Sequence, residues 1–198
     1  MDRGILIAVD GIDGAGKTTQ VQLLADSLKH LGLEVVTSKE PTSGHWGEKI
    51  RRSAVTGRMN LEDELHAFVE DRKEHVRELI NPSLQAGKVV ILDRYYFSTI
   101  AYQGSRGADA DAIAQSMRSI APEPDATIIL DVPAEVGFQR IAQRDGTANC
   151  FENLENLQAV RVAFLSLARN GVLIVIDGTP LKLIVHRIIC KQLFVGVR

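Results

Sequence analysis

The chain has 198 residues, 45% of them hydrophobic, enough for one domain to bury a full core without disulfide or metal staples. Its 23 basic and 25 acidic residues leave a formal charge of -2, which removes any global electrostatic case for binding DNA, RNA or an anionic membrane. Two cysteines, Cys150 and Cys190, stand far apart with no C-x-x-C pair, as free thiols of a reducing cytoplasm do, and no apolar run approaches the roughly 18 residues that span a bilayer.

The first predicted strand runs from Ile5 to Val9, so no targeting segment is expected ahead of it. It leads directly into Gly11-Ile12-Asp13-Gly14-Ala15-Gly16-Lys17-Thr18, which fits the phosphate-binding pattern G-x-x-x-x-G-K-[ST]. The chemistry asks for these residue types. Glycines let the backbone curl so that its amides face phosphate oxygens, Lys17 neutralises the β and γ phosphates, and Thr18 offers a hydroxyl to Mg²⁺. The helix that starts here adds its positive N-terminal end. Val21, Leu24, Leu28 and Leu31 form that helix's apolar stripe, closed by Gly32.

A second strand is expected over Glu34 to Ser38. The run Glu48-Lys49-Ile50-Arg51-Arg52 reads as a half-solvated helix face from which one arginine reaches inward. From Leu61 to Leu79 the inward stripe is Leu61, Leu65, Phe68, Arg72, Val76 and Leu79. A guanidinium on such a stripe needs either an ion pair, with Asp71, Glu64 or a residue of another helix, or a ligand. Phe68 one turn earlier adds a flat apolar surface beside that hydrogen-bonding fork, a combination suited to a nucleobase.

Three more strands are expected, Val89 to Leu92, Thr127 to Leu130 and Val172 to Ile176, with helical periods between them. Pro180 opens the last helix after Thr179 as its cap. This alternation predicts an α/β domain with a doubly wound, five-stranded parallel sheet flanked by helices, spanning residues 1–198 as one unit. The polar stretch from Arg144 to Asn153 reads as a short lid. Asp10, Asp93, Asp131 and Asp177 each follow a predicted strand, at the edge where such sheets bind ligands. Asp131 before Val-Pro and Asp177 before Gly-Thr-Pro fit turn or helix-start carboxylates, whereas Asp93, followed by Arg94 and an aromatic, hydroxyl-rich run, suits a carboxylate facing Mg²⁺ or its waters. Arg94 reads either as a clamp on an acceptor phosphate or as a surface ion pair.

These residues resemble the thymidylate kinase family. Residues 11 to 19, from Gly11 to Thr19, look like its phosphate loop, Lys39-Glu40-Pro41-Thr42 like its Arg-Glu-Pro segment, and Phe68 with Asp71-Arg72 like its base-binding helix. Asp93-Arg94-Tyr95, Ser98-Thr99 and Ala101-Tyr102-Gln103 are similar to its signature, as is Pro124-Asp125 leading into Ile129-Leu130-Asp131. The resemblance implies a P-loop NTPase fold and transfer of the γ-phosphate of Mg-ATP to dTMP by a cytoplasmic homodimer. It also implies that Asp13 meets the 3′-hydroxyl and phosphate region of dTMP, Phe68 stacks on thymine and Arg72 bonds a base carbonyl. Arg94 and Arg51 would hold the dTMP phosphate, Ser98, Thr99 and Gln103 would read the base edge or order the pocket, and Tyr102 would lie against the deoxyribose. Glu40 belongs to the same substrate side. Where some members carry an arginine inside the phosphate loop this chain has Gly14, so the lid arginine is expected from Arg140 or Arg144. Lys39 and Asp10 depart from the family's arginine and glutamate. Two rival readings are a kinase for dUMP or UMP, and a nucleotide-binding switch with no acceptor. The switch lacks a guanine-reading Asn-Lys-x-Asp and leaves Arg72 without a purpose.

Overall fold

A computed structural model describes residues 3–145, 153–170 and 173–194. Five strands, β1 (Ile5–Asp10), β2 (Val35–Lys39), β3 (Val89–Asp93), β4 (Ala126–Asp131) and β5 (Leu173–Asp177), form one parallel sheet in the order β2-β3-β1-β4-β5. Its middle strands are apolar on both faces because helices cover both, and Leu6, Ala8, Val90, Ile91, Leu92 and Ile128 are buried there.

Around the sheet lie α1 (Lys17–His30), α2 (His45–Thr56), α3 (Leu61–His75), a π-helical turn (Val76–Ile80), α4 (Asn81–Gln85), α5 (Tyr96–Gly104), α6 (Ala110–Ile120), α7 (Ala134–Asp145), α8 (Leu154–Asn170) and α9 (Lys182–Phe194). The chain leaves β1 toward β2 and leaves the neighbouring β3 toward β4 on the other side of β1, so the two connections diverge. That divergence opens a crevice at the C-terminal ends of β1 and β3, where Val9 pairs with Asp93 and Asp93 with Lys39. Among the described residues no helix is long and apolar enough to cross a membrane.

Several local expectations shift. The predicted strands run one residue farther at their C-terminal ends, so Asp10, Asp93, Asp131 and Asp177 close their strands instead of following them. Leu31 lies beyond α1 and is 70% exposed. The chain reverses there through Gly32 at φ 83°, with the amides of Gly32 and Leu33 donating to the carbonyls of Lys29 and Leu28. Thr179 does not cap α9. It donates its amide and hydroxyl back to Asp177, and Leu181 supplies the carbonyl that starts the helix at Lys182. Cys190 is a free thiol, and Cys150 lies outside the described residues, as does the expected lid from residue 146 to 152.

Candidate active site

The phosphate loop forms because three positions take backbone conformations that side chains resist. Gly11, Gly14 and Gly16 have φ of 134°, 78° and 97°. Gly11 also packs so closely on β4 that a Cβ there would stand 2.4 Å from the carbonyl oxygen of Leu130. Ile12 and Ala15 are buried under the loop, and Thr18 and Thr19 open α1. Lys17 is buried and folds back, its Nζ donating to the carbonyl of Ile12 at 2.8 Å. Burial and the nearby Arg94 guanidinium push Lys17 down to about 8, against Asp13, Asp93 and Asp10, which favour its charge.

At the start of α1, the Thr18 hydroxyl donates to Asp93 Oδ2, and Asp93 Oδ1 is buried without a hydrogen-bond partner among the described residues. A buried carboxylate oxygen left in this way is the feature a hydrated cation satisfies. Among the described residues no group of three or more His, Cys, Asp or Glu is arranged to hold a metal on protein ligands alone. A cation bound chiefly by phosphate oxygens and water, with Thr18 inside and Asp93 behind, suits this donor set.

The turn after β3 carries the strongest local strain. Arg94 has φ 73°, uncommon for a residue with a side chain. Its amide donates to Val9, the next amide, of Tyr95, to Asp10 Oδ2, and the Ser98 hydroxyl to Asp10 Oδ1. Burial raises Asp10 to about 6, against the hydrogen bonds and the Arg94 and Lys17 charges. Asp10 is thus committed to holding this turn. The Arg94 guanidinium is directed into the crevice, paired with Asp13, bonded to Ser98 at 3.1 Å and 5.3 Å from the Tyr102 ring centroid. Burial works against the Arg94 charge, but Asp13, with smaller help from Tyr102, Asp93 and Asp10, holds it above the ordinary value. Burial likewise raises Asp13, yet Arg94 and Lys17 outweigh it and bring the carboxyl to about 2. Tyr102 donates its hydroxyl to Asp13 Oδ2 at 2.8 Å.

From this charged end a cavity of about 450 Å³ runs between α2, α3 and α5. Asp13, Glu40, Arg51, Phe68, Arg72, Arg94, Ser98, Thr99, Tyr102, Gln103 and Arg144, all singled out from the sequence, line it. Arg51 stands at the rim, its Nη1 donating to the carbonyls of Pro41 and Thr42 at 2.9 and 2.5 Å. Gln103 is fully buried, and neither end of its amide has a partner in the protein among the described residues. Phe68 is half-buried along the cavity wall.

Arg72 is buried, and of the two options its inward placement left open it takes the ion pair. It bonds Glu40 Oε2 through Nε and Nη2 at 3.0 and 2.5 Å, and Thr99 at 3.2 Å, while still lining the cavity. Burial pushes the Glu40 carboxyl up, and Arg72 with His75 more than reverses this, leaving it below its ordinary value. The ion-pair partner is neither Asp71 nor Glu64. Asp71 accepts from the Thr42 amide and hydroxyl at 2.9 and 2.6 Å, pinning the loop that holds Arg51. Glu64 is buried between Arg58 and Arg106. The fully buried face of α3 is therefore Glu64, Ala67, Asp71, Arg72 and His75, while Leu61, Leu65 and Phe68 are half-buried. Helical spacing placed Arg72 inward but put Leu61, Leu65 and Phe68 beside it in place of Glu64, Asp71 and His75, whose burial by long-range pairing is a signal no local period carries.

Arg140 and Arg144 on α7 diverge. Arg140 donates to the carbonyls of Gly14, Gly178 and Thr179, bridging the phosphate loop to the turn after β5. Arg144 lines the cavity. Asp131 forms a two-pronged ion pair with Arg161 of α8, at 2.6 and 2.9 Å, and Asp177 accepts from Thr179, so both carboxylates serve the scaffold. Sequence reasoning quoted Pro41, Ile50 and Tyr95 within its motifs without giving them a role, and passed over Ala54, which like them lines the cavity, and His75 behind Glu40.

Against known proteins, the family model described as thymidylate kinase matches residues 9–189. The thymidylate kinase of Xylella fastidiosa (strain M23) is 51% identical over 164 residues, 83% of this chain and 75% of that relative. That of Xanthomonas campestris pv. campestris (strain B100) is 47% identical over 168 residues, covering 85% and 74%. The crystal structure of thymidylate kinase from Ehrlichia chaffeensis superposes with a TM-score of 0.78 at 31% identity, covering 96% of this chain and 99% of that one.

Proposed function

The chain belongs to the thymidylate kinase family, and from this we infer that its cleft transfers the γ-phosphoryl group of ATP to dTMP, giving ADP and dTDP. The observation that carries the reading is one cavity lined both by Asp13 and Arg94, beside the phosphate loop, and by Phe68, Arg72 and Gln103. A nucleoside monophosphate laid along it presents its phosphate to the loop and its base to the aromatic ring and the amide.

Phosphoryl transfer needs little covalent help from protein, so the residues work by alignment and charge neutralisation. Lys17 exchanges the Ile12 carbonyl for β and γ phosphate oxygens, and the loop amides from Gly11 to Thr19 take the rest. Arg94, held rigid by Asp13 and its strained turn, grips the acceptor phosphate together with Arg51 and offsets its repulsion from ATP. An acceptor phosphate oxygen then attacks the γ-phosphorus in line as the bond to the β-phosphate oxygen breaks. Arg144, from the cavity wall, meets the charge on the moving group, and Arg140 steadies Gly14 behind it. Mg²⁺ on Thr18, with Asp93 through water, would supply further charge neutralisation at the β and γ phosphates. Phe68 stacks on thymine, Arg72, Thr99, Ser98 and Gln103 order or read its edge, and Tyr102 with Asp13 and Glu40 shapes the deoxyribose end.

We further propose a single-domain cytoplasmic homodimer, which light scattering would test. The deciding assay is coupled ADP release across dTMP, dUMP, UMP, CMP and AMP at fixed Mg-ATP. Turnover with dTMP well above the others is expected; equal or greater turnover with UMP or AMP would overturn the base assignment.

A further inference from the structure

Glu40 uses its two oxygens in different directions. Oε2 takes both contacts from Arg72, whereas Oε1 lies 2.9 Å from His75 Nδ1. On the far side of the ring, His75 Nε2 lies 2.8 Å from Ser38 Oγ of β2. His75 sits one turn after Arg72 on the same face of α3, its side chain 3% exposed, immediately before the helix widens into the π-helical turn Val76–Ile80. Such turns recur where a side chain's direction matters. The ring also forms part of the wall of a second cavity, of about 630 Å³, that Ser38, Lys39, Thr42 and Glu74 share. Glu40 lines the acceptor cavity and His75 the second one, so their contact joins the walls of the two, which Lys39, Pro41 and Arg51 also share.

Hydrogen bonding assigns the ring's roles. Glu40 Oε1 belongs to an ionised carboxylate and has no hydrogen to give, so Nδ1 carries the proton and donates; in the neutral ring Nε2 then accepts from the Ser38 hydroxyl. Without that donor Oε1 would be a buried, unsatisfied charged oxygen. The carboxylate torsion is soft, so it would turn to share both oxygens with Arg72 side by side, the geometry that guanidinium and carboxylate prefer. That rotation would redirect the Arg72 N–H groups that Thr99 Oγ1 and Met117 Sδ now receive, and with them the edge of the guanidinium that lines the cavity.

We propose that His75 is a positioning residue for recognition of the pyrimidine: anchored on Ser38, it holds Glu40 by one oxygen so that Arg72 keeps its guanidinium turned to the base. The proposal rests on the acceptor-site reading above, and a control separates the two. Steady-state kinetics of the full chain are compared for wild type, His75→Ala, His75→Asn, Ser38→Ala and Arg72→Ala. His75→Ala is expected to raise the KM for dTMP about tenfold, the loss of one hydrogen bond to a charged group, with kcat within about twofold and the KM for ATP unmoved. His75→Asn, whose amide nitrogen falls where Nδ1 does, recovers most of the loss, and Ser38→Ala raises the dTMP KM about threefold by freeing the ring. A folded His75→Ala with unchanged dTMP KM, or a His75→Asn no better than His75→Ala, overturns the proposal. If His75→Ala does not fold, wild-type dTMP KM in Ser38→Ala overturns it instead. Arg72→Ala with unchanged dTMP KM would sink the acceptor-site reading itself; Arg72→Ala impaired while His75→Ala is not would sink the positioning role alone.

Discussion

Replacing Gly14 by alanine tests how the phosphate loop and α7 are fitted together. A Cβ at Gly14 would stand 2.2 Å from the carbonyl oxygen of Gly137 and 2.7 Å from its Cα, where ordinary contact begins at 3.4 Å. Both obstacles are backbone, so the loop and the helix would have to part by roughly 1 Å, an overpacking that costs about 1–3 kcal/mol. The φ of 78° adds about 1–2 kcal/mol for any residue with a side chain. Gly16 is the internal control: its φ is 97°, but a Cβ there meets nothing within 4 Å, so Gly16→Ala carries the conformational cost alone. Urea unfolding should therefore place Gly14→Ala below Gly16→Ala by about 1–3 kcal/mol. The same displacement separates Arg140 from the Gly14 carbonyl and moves the helix that carries Arg144. A misplacement of that size costs on the order of 10²-fold in rate, so kcat of Gly14→Ala in coupled ADP release should fall by about that factor. Equal stabilities of the two variants, or wild-type kcat in Gly14→Ala, would refute the reasoning. The same contact means that an arginine at this position needs α7 to sit elsewhere.

Other outcomes follow from the site's charges. Lys17, pushed down to about 8, is charged below that pH and neutral above it, so Mg-ATP affinity is full at pH 7 and weakens as pH rises through 8. By calorimetry the dissociation constant should climb by up to about tenfold per unit there, and a pH-independent wild type would contradict it. Arg94→Ala should lower kcat/KM for dTMP by about 10²–10³, with normal ATP binding by titration; unchanged turnover would remove Arg94 from the transfer step. Glu64→Ala leaves Arg58 and Arg106 facing a cavity where a buried carboxylate stood, and should destabilise the fold by about 3 kcal/mol in urea melts. A loss under about 1 kcal/mol would show the cluster to be solvated.

The legible part of this protein is local. A glycine-spaced loop between an apolar run and a helix can adopt few backbone paths, so Gly11 to Thr18 declare a phosphate cradle in the sequence itself. Apolar runs located the three middle strands most plainly, because strands covered on both faces admit few polar residues, whereas the edge strands β2 and β5 keep exposed positions. The inward placement of Arg72 followed from helical period, yet that period alone left its partner open among residues on every side.

What tertiary structure decided was the pairing of distant groups. Glu40 with Arg72 and His75, Asp71 with Thr42, Glu64 with Arg58 and Arg106, and Gly14 against Gly137 are contacts between elements. Helical period named Asp71 and Glu64 only as possible partners of Arg72, because a period carries no information on contacts between elements, and the actual partners arrive with the fold. The division between Arg140 and Arg144, four residues apart on one helix, has the same origin: Gly14 and Gly137 set how close α7 comes to the loop, and that closeness determines which arginine meets backbone carbonyls and which faces the cleft. Local chemistry in the chain determined which ligand the protein grips; the packing of helices against the loop determined which side chains surround it.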